Sequence, residues 1–217
     1  MITNLFSVFD PCTGALSLNW LRTIIFVFIL PYKYWFILNK IGVSFIIVLK
    51  SLKNEISTLM PYKGTTLIIL TLFVYILINN LIGLLPYVFT SSSHLVFSLG
   101  IALPLWLSFI IYGWFNKYNS IFRHLVPTGT PPVLIPFIVI IETVRNIIRP
   151  GSLSVRLTAN IIAGHLLISL LGNNTSRVIL ITTTIIVYLG LIIFELAVAI
   201  IQSYVFITLR TLYSREI

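Results

Sequence analysis

Charged side chains are scarce in this sequence. Only 9% of the 217 residues are charged, five residues are acidic and 58% are hydrophobic, whereas roughly a quarter of an ordinary soluble domain is charged. Cys12 is the only cysteine, which excludes an intrachain disulfide and a cysteine-based metal cluster. The sequence also lacks a phosphate-binding loop, a paired-histidine zinc motif and a nucleophile elbow. The composition predicts an all-α polytopic membrane protein that is not itself catalytic and carries no cofactor or metal.

The few charges that exist are mostly positive, with a formal net charge of +9. The basic residues are spread among the loops between apolar segments and do not form one patch with readout motifs, so a nucleic-acid partner is not expected. The lipid bilayer is the partner that this composition indicates.

The first part of the chain contains two apolar segments of different character. Residues 16–30 form a compact apolar run, which predicts a first span although Arg22 lies inside it. Residues 32–59 carry a stripe of polar side chains at steps of seven and four and no apolar run long enough to cross, which predicts an interfacial amphipathic helix. The alternative is an imperfect span between Lys33 and Lys50, which would invert the orientation of everything downstream.

Two further apolar runs, 65–85 and 95–115, predict a hairpin of spans. Pro86 ends the first run, and Pro104 predicts a kink in the second. The loop between them carries no charge, whereas the segments before and after the pair are basic. By the positive-inside rule, the basic loops face the matrix or cytoplasm.

The carboxy-terminal half consists of two long segments, 133–171 and 176–212. Each exceeds the roughly 20 residues that a perpendicular span needs. Both therefore require strong tilt, bending or an extension along the membrane surface, and the pair Pro150-Gly151 is the expected place for a bend in the first.

The first long segment contains an arginine at membrane depth. Such a cation costs several kcal/mol unless it meets a partner or a wet cavity, so Arg156 is a candidate functional residue. Asn160 lies four residues later on the same helical face, while His165 points roughly the opposite way. The small residues Ala159 and Ala163 near them favour close approach of another helix.

The last segment carries Glu195 and Gln202 on one face, seven residues apart. Two antiparallel registers are possible: one sets Arg156 opposite Gln202 and His165 within a turn of Glu195, and a tight hairpin sets Arg156 near residue 193. The registers differ by roughly 13 Å of sliding, and the residues alone do not decide between them.

These residues carry a resemblance to a known family. The string RLTANIIAGHLL and the later FELAVAIIQSYVF resemble subunit a of the F-type ATP synthase in its mitochondrial form, and the likeness covers most of the chain. Bacterial members typically carry Glu and His at the positions of His165 and Glu195, so the reversed pair favours a mitochondrial origin. The resemblance implies two steeply tilted helices that curve around a rotor.

The resemblance also implies roles for the polar residues. Arg156 would face the proton-carrying carboxylates of the rotating c-ring and separate two aqueous half-channels, and His165 and Glu195 would pass protons through the entry channel. The alternative for that pair is an ion pair that only holds the helices in register. Asn160 and Gln202 would support Arg156, because amides do not titrate.

Two residues near segment ends keep open roles. Glu142 would either line a matrix-side exit or pair with Arg145 or Arg149 on its own helix. His94 is expected at the interface, with a place at the channel mouth as the alternative.

The implied partners are the c-ring and other membrane stator subunits of the ATP synthase. The implied location is the mitochondrial inner membrane, with the amino terminus in the intermembrane space and the carboxy terminus in the matrix. A self-contained transporter or channel and a purely structural membrane subunit remain alternatives. The absence of internal repeats and the clustering of polar residues in two helices count against the transporter.

Overall fold

A computed structural model describes residues 9–12, 18–24, 40–59, 63–85, 88–116, 126, 131, 134–173 and 178–216. Within these ranges the regular structure is helical. Four helices contain stretches that are long and apolar enough to cross a membrane: Gly64–Gly83, Leu95–Asn116, Ile135–Gly172 and Thr184–Leu212. The expected all-α architecture with several apolar spans is therefore confirmed at this level.

The predicted first span lies largely outside the described residues. A short 3₁₀ turn, Leu18–Leu21, continues into helical residues 22–24. Residues 25–39 are outside the described part. The helix that follows, α1, runs over Lys40–Leu59 and is not among the four helices that could span a membrane. Its inner face packs Phe45, Leu49, Leu52 and Ile56 onto the core, while Lys50 and Lys53 are exposed.

The next two helices follow each other along the chain. Helix α2 runs over Lys63–Gly83, a span expected over 65–85, and the chain turns at residues 84–85. A 3₁₀ turn, Ser91–Ser93, leads into α3, Leu95–Asn116, which contains Pro104. The missing N–H of a proline is tolerated in apolar helices where neighbours satisfy the freed carbonyl.

Two helices of 39 residues each complete the chain, α4 over Ile135–Asn173 and α5 over Val178–Glu216. At about 1.5 Å per residue each is about 58 Å long, roughly twice the thickness of a hydrocarbon core. Pro150 lies inside α4, which is continuous through it. The two helices were expected over 133–171 and 176–212.

A single apolar core draws on all five helices. Its members include Ile56 of α1, Phe73 and Ile76 of α2, Ala102 of α3, Leu153 and Leu157 of α4, and Phe206 and Ile207 of α5. Ser154 and Thr158 are also fully enclosed on α4, and their hydroxyls donate to the backbone carbonyls of Gly151 and Val155. These self-satisfied small side chains let α4 pack tightly with one face inward.

Candidate functional site

The face of α4 opposite the core carries Arg156. The exposed residues of this face recur at steps of three and four, as one helical stripe requires. They are Ser152, Val155, Arg156, Ala159, Asn160, Ala163, Leu167 and Leu170. Arg156 is exposed and forms no hydrogen bond or ion pair with any residue that the structure describes. Its charge must therefore be met by something outside the described chain.

One turn along the same helix, a hydrogen bond joins α4 to α5. Asn160 Nδ2 donates to Gln202 Oε1 at 3.2 Å. Gln202 is 7% exposed, whereas Asn160 is exposed on the stripe that carries Arg156. The pair therefore ties the inner side of α5 to the outer face of α4 beside the arginine.

The second contact between the long helices lies at Gly164. A β-carbon built on Gly164 would approach Glu195 Cδ to 2.6 Å and Cγ to 3.0 Å, so the carboxyl group lies directly on the glycine backbone. Glu195 is 8% exposed, and its Oε1 is buried without a hydrogen-bond partner. Together with Asn160–Gln202, this contact sets a register close to the one with Arg156 opposite Gln202, and far from the tight hairpin.

His165 lies next to Gly164 and points into the bundle. Its ring is within hydrogen-bonding reach of the Gly83 backbone, and its Nε2 is buried without a partner. Although both side chains are described, no hydrogen bond or ion pair joins His165 to Glu195. Glu195 contacts the backbone of Gly164, and His165 is the next residue along α4. The alternative of an ion pair that holds the two helices in register receives no support from these contacts.

A buried polar compartment adjoins His165, and sequence reasoning missed it. Its members are Asn79, Asn80, Thr90, Ser91, Ser92, Ser93 and Ser98. Ser91 Oγ donates to Asn79 Oδ1 at 3.5 Å, but both amide atoms of Asn80 and the Ser92 hydroxyl have no partner. Since buried polar groups without protein partners are typically satisfied by water, this compartment has the chemistry of a hydrated space. The adjacent asparagines and the following run of three serines were the available signals.

At the amino-terminal end of α4, Glu142 is paired with its own helix. Arg145 Nη1 lies 2.8 Å from Glu142 Oε2. An open groove of about 540 Å³ begins there and runs toward the Arg156 stripe. It is lined by Ile141, Val144, Arg145, Ile148, Arg149 and Ser152. Glu142 therefore pairs with Arg145, and the groove beside this pair is mainly apolar and does not include Glu142 in its lining.

A buried cation on α5 was not singled out from the sequence. Arg210 is 5% exposed, with Nε and Nη2 lacking hydrogen-bond partners. Its guanidinium carbon lies 4.6 Å from the centroid of the Phe109 ring. The arginine near the end of α5 is therefore enclosed by the bundle and stacked on α3. Arg210 differs from an interfacial arginine only in its packing against distant parts of the chain. The local sequence does not specify that packing.

The described residues contain no group of three or more His, Cys, Asp or Glu side chains arranged to hold a metal ion.

Comparison with known proteins assigns the chain to a family. The model of the ATP synthase A chain family matches residues 15–215. The chain belongs to the ATP synthase A chain family. It is 52% identical to ATP synthase subunit a of Anopheles gambiae over 225 residues, 53% identical to that of Aedes aegypti over 226, and 51% identical to that of Drosophila melanogaster over 223, each covering 100% of both chains. The resemblance given by RLTANIIAGHLL and FELAVAIIQSYVF is confirmed.

Family membership settles the general function. Subunit a is the proton-conducting stator subunit of F0, the membrane part of the ATP synthase, and it works in a complex with partners such as the c-ring. The chain is a multi-pass membrane protein of this family. What each polar side chain contributes is a separate question.

Proposed function

We propose that this chain forms two aqueous half-channels against the c-ring and that Arg156 is the charge barrier between them. A guanidinium keeps its proton in proteins. It therefore favours an ionised rotor carboxylate beside it and repels a proton that would pass directly from one half-channel to the other. The observation that carries this proposal is the exposed side chain of Arg156 on the outer face of α4, which pairs with no residue in the described part of the chain.

The shape of the surrounding stripe supports an occupant that moves past it. Ala159 and Ala163 flank the arginine on the exposed face, and small side chains allow close helix approach in lipid. The Asn160–Gln202 hydrogen bond supports the arginine's surroundings with groups that do not titrate. Asn160 and Gln202 are therefore positioning residues.

The entry half-channel is assigned to His165 and Glu195. Both belong to the few described side chains that can change charge, and each has a buried atom without a protein partner. A proton passes through them to a rotor carboxylate, which becomes neutral and can then face lipid. The rotor carries the proton through nearly a full turn.

The exit half-channel is assigned to the groove at the start of α4. Arg145 and Ser152 are among its lining residues, and Glu142 pairs with Arg145 beside it. An ionised Glu142, held by Arg145, offers the released proton an acceptor on the way to the matrix.

The proposed location is the mitochondrial inner membrane, with the amino terminus in the intermembrane space and the carboxy terminus in the matrix. The basic residues of α1 support this orientation through the positive-inside rule. The outward lysines of α1 fit a helix lying along the matrix surface. Each charge crossing about 100 mV releases about 2.3 kcal/mol, so several protons are needed per ATP.

Substitution of Arg156 in the assembled ATP synthase tests the barrier. We expect Arg156→Ala to abolish proton-driven ATP synthesis in inner-membrane vesicles and to open a passive proton leak. Arg156→Lys should not restore synthesis, since an ammonium at a dry site can lose its proton. Val155→Ala, on the same exposed stripe, is the matched control and should retain synthesis. Unimpaired synthesis in Arg156→Ala would contradict the proposal.

The rival of a self-contained transporter has its own test. The purified chain, reconstituted alone in liposomes under a membrane potential, should carry no protons without the c-ring. Proton flux through the isolated chain would favour the rival.

A further inference from the structure

Both histidines near the α2–α3 turn are covered by aromatic rings from the amino-terminal part of the chain. Phe9 meets His165 edge to face, with ring centroids 6.1 Å apart and planes at 88°. Trp20 meets His94 at 5.3 Å and 47°. Two separate positions of one segment thus reach the two imidazoles on this side of the bundle.

His165 is held from more than one direction. The Gly83 backbone is within hydrogen-bonding reach of the ring, and the Phe9 edge contact adds a second constraint on its plane. Edge-to-face contact is a favoured geometry between aromatic rings. With the ring fixed in this way, Nε2 is the nitrogen left without a partner. A buried imidazole with an unpartnered nitrogen is arranged to exchange a proton with water.

His94 repeats this arrangement at the other end of the compartment. Its ring lies 5.2 Å from Phe89 and is also covered by Trp20, which in turn meets Phe89 at 5.9 Å. Its Nε2 is buried and has no partner. The aromatic cover encloses the imidazole but supplies no acceptor or donor to it.

Gly83 lies between His165 and the residues of the α2–α3 turn. Its backbone approaches His165, and a β-carbon at Gly83 would lie 3.4 Å from Thr90 Cγ2 and 3.9 Å from Ser92 Oγ. The unpartnered atoms of Asn80, Ser92, His94 and His165 are therefore spread through one region between the α2–α3 turn and α4. Leaving a buried polar group unsatisfied is unfavourable, which favours water in this region.

We infer that residues 9–12 and 18–24 form part of the outer wall of the proton-entry path and that Phe9 positions His165 within it. The inference rests on the proposed entry role of His165. It adds the compartment of Asn80, Ser92 and His94 as the water-filled approach to that histidine. The other titratable groups near this path are Asp10, whose Oδ1 accepts from the Cys12 N–H at 3.2 Å, and Glu195, on the far side of Gly164.

Three substitutions of Phe9 in the assembled ATP synthase test the positioning role. Phe9→Ala removes the ring, Phe9→Leu fills part of the space without a ring, and Phe9→Tyr restores the ring. The readout is proton-driven ATP synthesis against the proton concentration on the entry side, with equal amounts of assembled complex. We expect Phe9→Ala and Phe9→Leu to need a several-fold higher proton concentration for half-maximal rate, with the maximal rate little changed. Phe9→Tyr should behave like the parent chain.

The outcomes separate this inference from the function on which it rests. If Phe9→Ala matches the parent chain, or if Phe9→Tyr is as impaired as Phe9→Ala, the positioning role is wrong. His165→Ala is measured in parallel and should lose synthesis. Full activity in His165→Ala would instead overturn the proposed entry channel itself.

Cys12 provides a second measurement that does not disturb the ring. It is the only cysteine of the chain and is exposed. A bulky membrane-impermeant maleimide added on the entry side should slow proton-driven synthesis in the parent complex and have no effect in a Cys12→Ser variant. If Cys12 is labelled and the rate of synthesis does not change, the inference that this segment borders the proton-entry path is contradicted.

Discussion

The carboxyl group of Glu195 lies on the bare backbone of Gly164, where a β-carbon would come within 2.6 Å of Cδ. No side chain other than hydrogen leaves room for the carboxylate at this point. The residue next to this glycine is His165, so the contact also fixes how far the two titratable groups stand from each other.

Gly164→Ala should therefore displace Glu195 from its place. Overpacking of this kind costs about 1–3 kcal/mol, and about 1.4 kcal/mol corresponds to a tenfold change in rate. We expect proton-driven ATP synthesis to fall by about tenfold, measured in vesicles with the complex assembled.

Gly151→Ala is the matched control for that experiment. It lies in the same helix, and a β-carbon there meets nothing within 4 Å. It should preserve synthesis, since alanine is also the better helix former. Equal losses of synthesis in both variants would mean that synthesis depends on the flexibility of α4 and not on the contact between Gly164 and Glu195.

The Asn160–Gln202 hydrogen bond should appear as coupling in a double-mutant cycle. Asn160→Ala and Gln202→Ala each leave one amide without its partner, so the double variant should be less impaired than the sum of the single effects. Interhelical hydrogen bonds in membranes are worth about 0.6 kcal/mol on average and up to about 1.7. The coupling is obtained from the logarithms of the synthesis rates of the four complexes, and strictly additive effects would argue against the contact.

The buried charge of Arg210 should be stabilised by its contact with the Phe109 ring. A desolvated cation–π contact is worth about 2 kcal/mol, so Phe109→Leu should lower the temperature at which the detergent-solubilised complex loses this subunit. Arg210→Met removes the buried charge and retains an apolar side chain that can fill the space, so it should leave that temperature unchanged or raise it.

Phe115→Leu serves as the control for Phe109, because it changes the same residue type on α3 where the side chain is 85% exposed. It should have little effect. A loss of stability in Arg210→Met would show that the guanidinium holds a partner that stabilises it.

Local sequence signals identified the helices and the candidate residues of the α4 face. Long apolar runs require internally bonded backbone in lipid, which is why α2 to α5 follow the predicted segments to within a few residues. The four-residue spacing of Arg156 and Asn160 places both on one helical face, and the structure exposes both there. The family resemblance favoured the register with Arg156 opposite Gln202, which periodicity alone could not select.

Contacts between distant segments could not be read in the same way. Asn80 and Ser92 look like ordinary polar interruptions until α4 packs against the turn that holds them, and Arg210 looks like a helix-end cation until Phe109 is placed beside it. The cover of His165 by Phe9 joins the two ends of a long stretch of sequence. Such pairings depend on how whole helices stack, which no local pattern encodes.

The outward position of Arg156 also bears on how the complex is built. A copy of the chain inserted before its ring is present exposes a bare guanidinium to hydrocarbon, at a cost of several kcal/mol. We expect membrane proteases to degrade such a copy sooner than a copy that is docked on the ring, where the charge of Arg156 is covered. The exposed charge of Arg156 would thus distinguish an unassembled subunit from an assembled one, and the unassembled subunit should be shorter-lived.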